Sequence, residues 1–228
     1  MCDTVIYNYN NKEYNFFNLV QKIFNFNTSL EELHLFTSNN EQVMFDNDTI
    51  TIYQKHFYNS SFYEVFRELY YKFVKNELGK LFPNEEYLIV QKDPCFRVST
   101  PNNTALGLKT DDINEKIGLH CDADYNHPSN EINYIIAITE MWDSNSVWIE
   151  SSPNKGDFNP IKLFWNQYIQ FYGNKLRHYN IKNISGQTRV SIDFRVIPLS
   201  KYDPTYDKES VHGKRKFIVG DYFIKIKI

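Results

Sequence analysis

The sequence predicts a mainly β chain of the α+β class, a β-sandwich or jelly roll with helices packed outside it. Three observations predict it. Six short runs between residues 87 and 228 are rich in Val, Ile, Tyr and Phe. Clusters of Pro, Asn, Gly and Ser separate those runs as turns separate strands. The first 85 or so residues carry instead the spacing of helices.

Each element follows in order. Residues 19–26 are apolar and begin a short helix. The stretch SSFYEVFRELYYKFVKNELGKL (60–81) places Phe62, Val65, Phe66, Leu69, Tyr70 and Phe73 at steps of three and four, which is one helix face. Ser60 or Ser61 is its expected N-cap, with Glu64 near the capping-box position and Gly79 and Pro83 as its stop. The expected strands are YLIVQ (87–91), CFRVST (95–100), INYIIAIT (132–139), SVWIES (146–151), TRVSIDFRVI (188–197) and FIVGDYFIKIKI (217–228). Residues 161–171 read as strand or short helix. There is no internal repeat, no Gly-rich phosphate loop and no strand–helix alternation, so nucleotide-binding α/β folds are excluded.

Composition narrows the function classes. The 228 residues are 42% hydrophobic and 23% charged, enough for a sizeable core and too apolar for a disordered segment. The expectation is one domain over 1–228: a helical N-terminal extension to about 85, then a catalytic β core over 86–228. A net charge of −3 argues against a nucleic-acid binder. Eight Gly and eight Pro exclude collagen-like and linker classes. Cys2, Cys95 and Cys121 lie far apart with no C-x-x-C pair, which speaks for a reducing compartment. The N-terminus lacks a basic stretch followed by an apolar one, and no run approaches the roughly 18 apolar residues of a membrane span. The expectation is therefore a cytoplasmic protein that binds neither membrane nor nucleic acid. The N-x-S/T triplets at Asn27 and Asn183 read as chance in an Asn-rich chain.

Four residues carry the chemistry. His120 and Asp122 sit in GLHCDADY (118–125); in an extended segment residues i and i+2 share a side, so an imidazole and a carboxylate converge. His178, in KLRHYNI, arrives from a distant strand as a third ligand. Two His and one carboxylate on one face, with open positions opposite, select non-haem Fe(II). Arg189 follows by eleven residues and suits bidentate capture of a carboxylate, while Ser191 shares its strand face. Such a pair fits the far carboxylate of 2-oxoglutarate. Cys121 points away from its neighbours and is not counted as a ligand. His34, His56, His127 and His212 lack such a context, although His127 lies near the pocket.

Residues 95–198 resemble the Fe(II)- and 2-oxoglutarate-dependent dioxygenases of the streptomycin-biosynthesis-protein type, related to the phytanoyl-CoA dioxygenases. FRVSTPNN (96–103), LHCDADYNHPSNEINYIIAIT (119–139), VWIESSPNKGDFNP (147–160), FYGNKLRHYNI (171–181) and GQTRVSIDFRVIP (186–198) carry the resemblance. The stretch 105–118 departs from it by its length before the H-x-D. The first 85 residues match no family. The resemblance implies a double-stranded β-helix (jelly roll, cupin-like) core. It implies His120, Asp122 and His178 as iron ligands and Arg189 and Ser191 as holders of 2-oxoglutarate, with O₂ as co-substrate. Asn133 is expected to face the pocket and contact cofactor or substrate. Arg97, Tyr125, Trp148 and Glu150 are candidates for the wall of the substrate cavity, and Lys155 and Asp157 for its rim.

The activity expected is oxidation, hydroxylation first, of a small polar metabolite or sugar derivative, with release of succinate and CO₂. Two other classes stand beside it. One is a cupin-like metal enzyme that does not use 2-oxoglutarate; such sites favour three or four His. The other is a non-catalytic jelly-roll module that binds glycans on its aromatic rings.

Overall fold

Alternation of apolar and polar residues in the long run 188–198 organises the molecule, because a strand shows successive side chains to opposite faces. The computed structural model describes residues 4–37, 42–45 and 48–228. Cys2 lies outside them. The chain begins with β1 (Val5–Asn8) and α1 (Phe16–Phe24), then β2 (Gln42–Phe45) and β3 (Asp48–Thr51), which pair as a hairpin. Two helices follow, α2 (Ile52–Asn59) and α3 (Tyr63–Phe73). Then come β4 (Tyr87–Gln91), β5 (Cys95–Ser99), β6 (Ile117–His120), β7 (Ile132–Ala137), β8 (Val147–Ile149) and β9 (Asn159–Pro160). The chain closes with β10 (Gln167–Phe171), β11 (His178–Asn180), β12 (Arg189–Pro198) and β13 (Phe223–Lys227).

The strands form two larger antiparallel sheets. One runs β1-β10-β7-β12-β4-β13, with β5 also on β12; the other runs β6-β11-β8-β9. On β12, Val190, Ile192, Phe194 and Val196 join the core that contains the N-terminal helices. On β7 and β10 the opposite parity, Ile135, Ala137, Ile169 and Phe171, packs with Val147 and Ile149 of β8. A second apolar layer therefore lies between the two sheets, and Arg189, Ser191, Asp193 and Arg195 face that side.

The helices are fastened by aromatic side chains. Phe57 of α2 stacks on Phe96 of β5 with centroids 4.0 Å apart and planes 1° from parallel. Tyr70 of α3 meets Phe194 edge-on at 4.8 Å and donates its hydroxyl to Gln91 O at 2.9 Å. Tyr58 donates to Pro94 O (3.0 Å) and Tyr63 to Asp93 Oδ1 (2.8 Å), so tyrosines satisfy the turn between β4 and β5. No described helix is long and apolar enough to cross a membrane.

The structure corrects several expectations. The predicted long helix over 60–81 is α3, then a π-helical turn Val74–Leu78 and a 3₁₀ turn Gly79–Leu81. Ser60 does not cap it: Ser60 ends α2 and receives the Phe62 and Tyr63 N–H groups. Glu64 pairs with Arg67 instead of closing a capping box. The buried face is Tyr63, Phe66, Tyr70 and Phe73, while Phe62 and Val65 are 43% and 50% exposed. At the N-terminus, Val5–Asn8 is an edge strand on β10 and not part of a helical extension. Of the last predicted strand only Phe223–Lys227 is one; Phe217 instead packs on the rings of His127 and Tyr222. Asn183 is fully buried and donates to Ser99 O and Gln187 O, so it is no glycosylation acceptor.

The face of α3 can be checked by truncation. Phe66→Ala should lower unfolding free energy by about 3–5 kcal/mol in urea denaturation, and Val65→Ala by less than about 0.5 kcal/mol. Equal losses would restore the face read from the sequence.

Candidate metal centre

Three segments deliver the donors. His120 ends β6, and Cys121 stays extended before the chain turns at Asp122–Tyr125. His178 opens β11 and pairs directly opposite His120. The rings of the two histidines lie 4.3 Å apart. Asp122 Oδ1 is 3.5 Å from His120 Nε2 and 3.7 Å from His178 Nε2. One donor atom from each of the three lies within 4.8 Å of the others.

Both imidazoles are fixed in the state a metal needs. His120 Nδ1 lies 2.5 Å from Gly118 O, and His178 Nδ1 2.9 Å from Leu176 O. A carbonyl only accepts, so each Nδ1 carries the proton and each Nε2 offers its lone pair toward Asp122. Gly118 takes a φ of +67°, which presents its carbonyl to His120 at a backbone angle glycine tolerates. Burial, helped by His120 and opposed by Asp122, pushes His178 down to about 4, so it is neutral at ordinary pH. Burial would raise Asp122, but the Arg195 cation beside it holds it well below the usual carboxylate range. Two imidazole nitrogens and one carboxylate oxygen within 4.8 Å of one another fit a divalent cation.

Arg189 is the second feature. It is 1% exposed, and its guanidinium reaches only Ser191 Oγ (3.2 Å) and Asn180 Oδ1 (3.4 Å). Its Nε is buried with no hydrogen-bond partner, and no ion pair to it forms among the described residues. Burial and the nearby Arg97 charge depress it to about 10. A buried cation without an acid is a strong demand for an anionic ligand.

The remaining sequence candidates separate into two groups. Tyr125 lies 4.7 Å from the His120 ring, with exposed His212 5.1 Å beyond it, and Arg97 shares the inner face of β5 opposite Ser191. Asn133 reaches the metal donors from β7, its amide Nδ2 donating to Asp122 Oδ2 at 2.6 Å. Trp148 is misassigned: it pairs with Tyr179 while Ile149 pairs with His178, so it shows the face of the small sheet opposite the donors. Glu150 is also misassigned. Its carboxylate accepts from the N–H groups of Arg177 (2.7 Å) and Gly156 (3.2 Å), which ties down the loop 153–157. In that loop Lys155 and Asp157 pair with each other.

Sequence reasoning missed Asp193 and Arg195. Arg97 Nε meets Asp193 Oδ1 at 2.8 Å, Asp193 Oδ2 meets Arg195 Nη1 at 2.7 Å, and Arg195 Nε reaches Asp122 Oδ2 at 3.2 Å. The signal was present: R-x-S-x-D-x-R puts every polar residue of β12 on one face. A second donor group, Asp122 with His127 and Glu131, adjoins the first. There His127 Nδ1 and Glu131 Oε2 bond each other at 2.7 Å, and the Arg195 cation beside Asp122 opposes a second metal ion.

Comparison with known proteins agrees with this geometry. No protein-family model matches the chain. The streptomycin biosynthesis protein StrG of Streptomyces griseus is 28% identical to it over 180 residues, 78% of each chain. Among solved structures, the α-ketoglutarate-dependent carbocyclase SnoK and epimerase SnoN of nogalamycin biosynthesis superpose with TM-scores of 0.54 and 0.53. They share 11% and 12% identity; 99% of this chain and 92% and 94% of theirs are covered. Those two likenesses are of fold. Four longer solved chains are matched over 47–66% of their own length. The chain thus resembles the streptomycin biosynthesis protein in sequence and the two α-ketoglutarate-dependent enzymes in fold.

The buried neutral His178 predicts a pH dependence. In the unfolded chain this group takes up a proton near 6.5; in the fold it does so only near 4. Between those values the unfolded state binds more protons, so stability falls as pH falls. The metal-free protein should lose up to about 2–3 kcal/mol from this group between pH 7 and 4.5. His178→Gln should flatten the slope of urea-denaturation free energy against pH. An unchanged slope would refute the assignment.

Proposed function

We propose that the protein is an Fe(II)- and 2-oxoglutarate-dependent dioxygenase that oxidises a small polar metabolite or sugar derivative on a jelly-roll core, with 1–228 acting as one domain. One observation carries the reading: three metal donors converge, and Asn180, on the same face of β11 as His178, meets a buried arginine that has no acid partner among the described residues. A dicarboxylate is the ligand that answers both features at once.

Bound Fe(II) and 2-oxoglutarate would supply activation of O₂, coupled to loss of CO₂ and formation of succinate. The chain's own residues do the rest. His120 and His178 offer Nε2, held in that tautomer by the carbonyls of Gly118 and Leu176. Asp122 contributes Oδ1, ionised because Arg195 stands beside it. Arg189 and Ser191 receive the far carboxylate, Arg189 through its unpartnered Nε and Ser191 through its hydroxyl. Charges then come close to balance: a divalent cation, Arg97, Arg189 and Arg195 against Asp122, Asp193 and a dianion. Ile135 and Phe171 belong to the apolar layer between the sheets, which excludes water from that side. Tyr125 and Arg97 border the space left for substrate.

The StrG likeness supports a small polar substrate of natural-product metabolism. SnoN and SnoK, by their names an epimerase and a carbocyclase, leave hydroxylation as one of several outcomes for the fold.

Anaerobic titration tests the reading. Apo-protein receiving Fe(II) and then 2-oxoglutarate should develop the weak visible charge-transfer band of the chelate, and His178→Ala should not. Arg189→Ala should weaken 2-oxoglutarate at least about 30-fold while leaving Fe(II) affinity nearly unchanged. Iron binding without the band would favour a cupin-like enzyme of other chemistry. Binding of neither would favour a glycan-binding module.

A further inference from the structure

We infer that Asn133 and Arg195 are positioning residues that restrict Asp122 to a one-oxygen metal ligand, and that Gly173 sets Asn133 for this task. The inference rests on the metal-site reading above and deepens it.

The two oxygens of Asp122 live in different surroundings. Oδ1 faces the two imidazoles at 3.5 and 3.7 Å. Oδ2 accepts from Asn133 Nδ2 at 2.6 Å and from Arg195 Nε at 3.2 Å. A carboxylate oxygen has two lone pairs, and both of those on Oδ2 are engaged. To chelate a metal with both oxygens, Asp122 would have to surrender a buried hydrogen bond.

The donors cannot readily turn away. Asn133 Oδ1 accepts the Gly173 N–H at 3.0 Å, so its NH₂ end must face Asp122. Gly173 O in turn accepts the Asp122 N–H at 2.8 Å. A Cβ on Gly173 would fall 2.6 Å from Asn133 Nδ2 and 2.8 Å from its Cγ, which is closer than atoms tolerate. Glycine is therefore required there by the amide it supports. Arg195 is held by Asp193, and Asp193 by Arg97.

The consequence concerns coordination number. In an octahedral site, two imidazoles and one oxygen leave about three positions, enough for a bidentate oxoacid and one further ligand. A chelating Asp122 would leave one fewer. The clamp on Oδ2 thus keeps open the position in which the proposed chemistry needs a third ligand.

Mn(II) tests this without turnover. Water-proton relaxation of the Mn(II)-loaded protein counts metal-bound waters, and a competing chelator gives the affinity. Wild type should hold about three waters. Asn133→Ala and Gly173→Ala should each lose one metal-bound water as Oδ2 joins the metal. Gly173→Ala keeps the Asn133 amide but displaces it, so it carries the test if Asn133→Ala does not fold. Folded variants that keep the wild-type water count, whatever their affinity, would overturn the inference. The parent reading fails separately: if wild type binds Mn(II) but 2-oxoglutarate displaces no water, the dioxygenase is refuted and the clamp stands. A wild type that does not bind Mn(II) refutes both.

Discussion

Burial of alternating charges along β12 is the constraint on which the site depends. The strand has one face made wholly of Val190, Ile192, Phe194 and Val196, which fixes it against the helices. That anchoring leaves no freedom of register, because a one-residue slip would exchange every side chain between faces. Arg189, Ser191, Asp193 and Arg195 are therefore delivered to the cavity side in fixed order. The N-terminal helices matter to the site through this strand, since they cover its apolar face.

The charged ladder Arg97–Asp193–Arg195–Asp122 is not a source of stability. Taking ions from water costs several kcal/mol each, and replacement of buried pairs by apolar residues is often neutral or stabilising. Its value lies in placement. Each member is oriented by the next, and the series ends on the carboxylate that faces His120 and His178. Removing one member would leave its neighbour charged, buried and unpaired, which is how such a ladder enforces its own geometry.

What the sequence made legible follows from range. The convergence of His120, Asp122 and His178 and the contact of Arg189 with Ser191 could be read because residues two apart on an extended segment share a face. Strands with strong patterns, such as Tyr87–Gln91 and Arg189–Pro198, fell where expected. The edge strand Val5–Asn8 did not, because four residues gain their conformation from Gln167–Phe171 far along the chain. Trp148 was placed on the wrong side because three-residue strands give no parity signal until their partner is known. The task of Asn133 was hidden for the same reason: it depends on Gly173, forty residues away, coming close enough to leave no room for a Cβ.

The isolation of Arg189 follows from strand geometry as well. Along a strand each residue advances about 3.3 Å, so Asp193 stands roughly 13 Å from Arg189 at the backbone. Arg97 and Arg195 are nearer and use both oxygens of that carboxylate. Ser191, the intervening residue on the face, is neutral and accepts a single hydrogen bond from Arg189. One acid shared between two of three arginines leaves the third with its charge uncompensated, at the end of the row. Among the described residues no acid completes it. On the proposed function, the acid that does so is the far carboxylate of the ligand whose other end the three donors and their metal would hold.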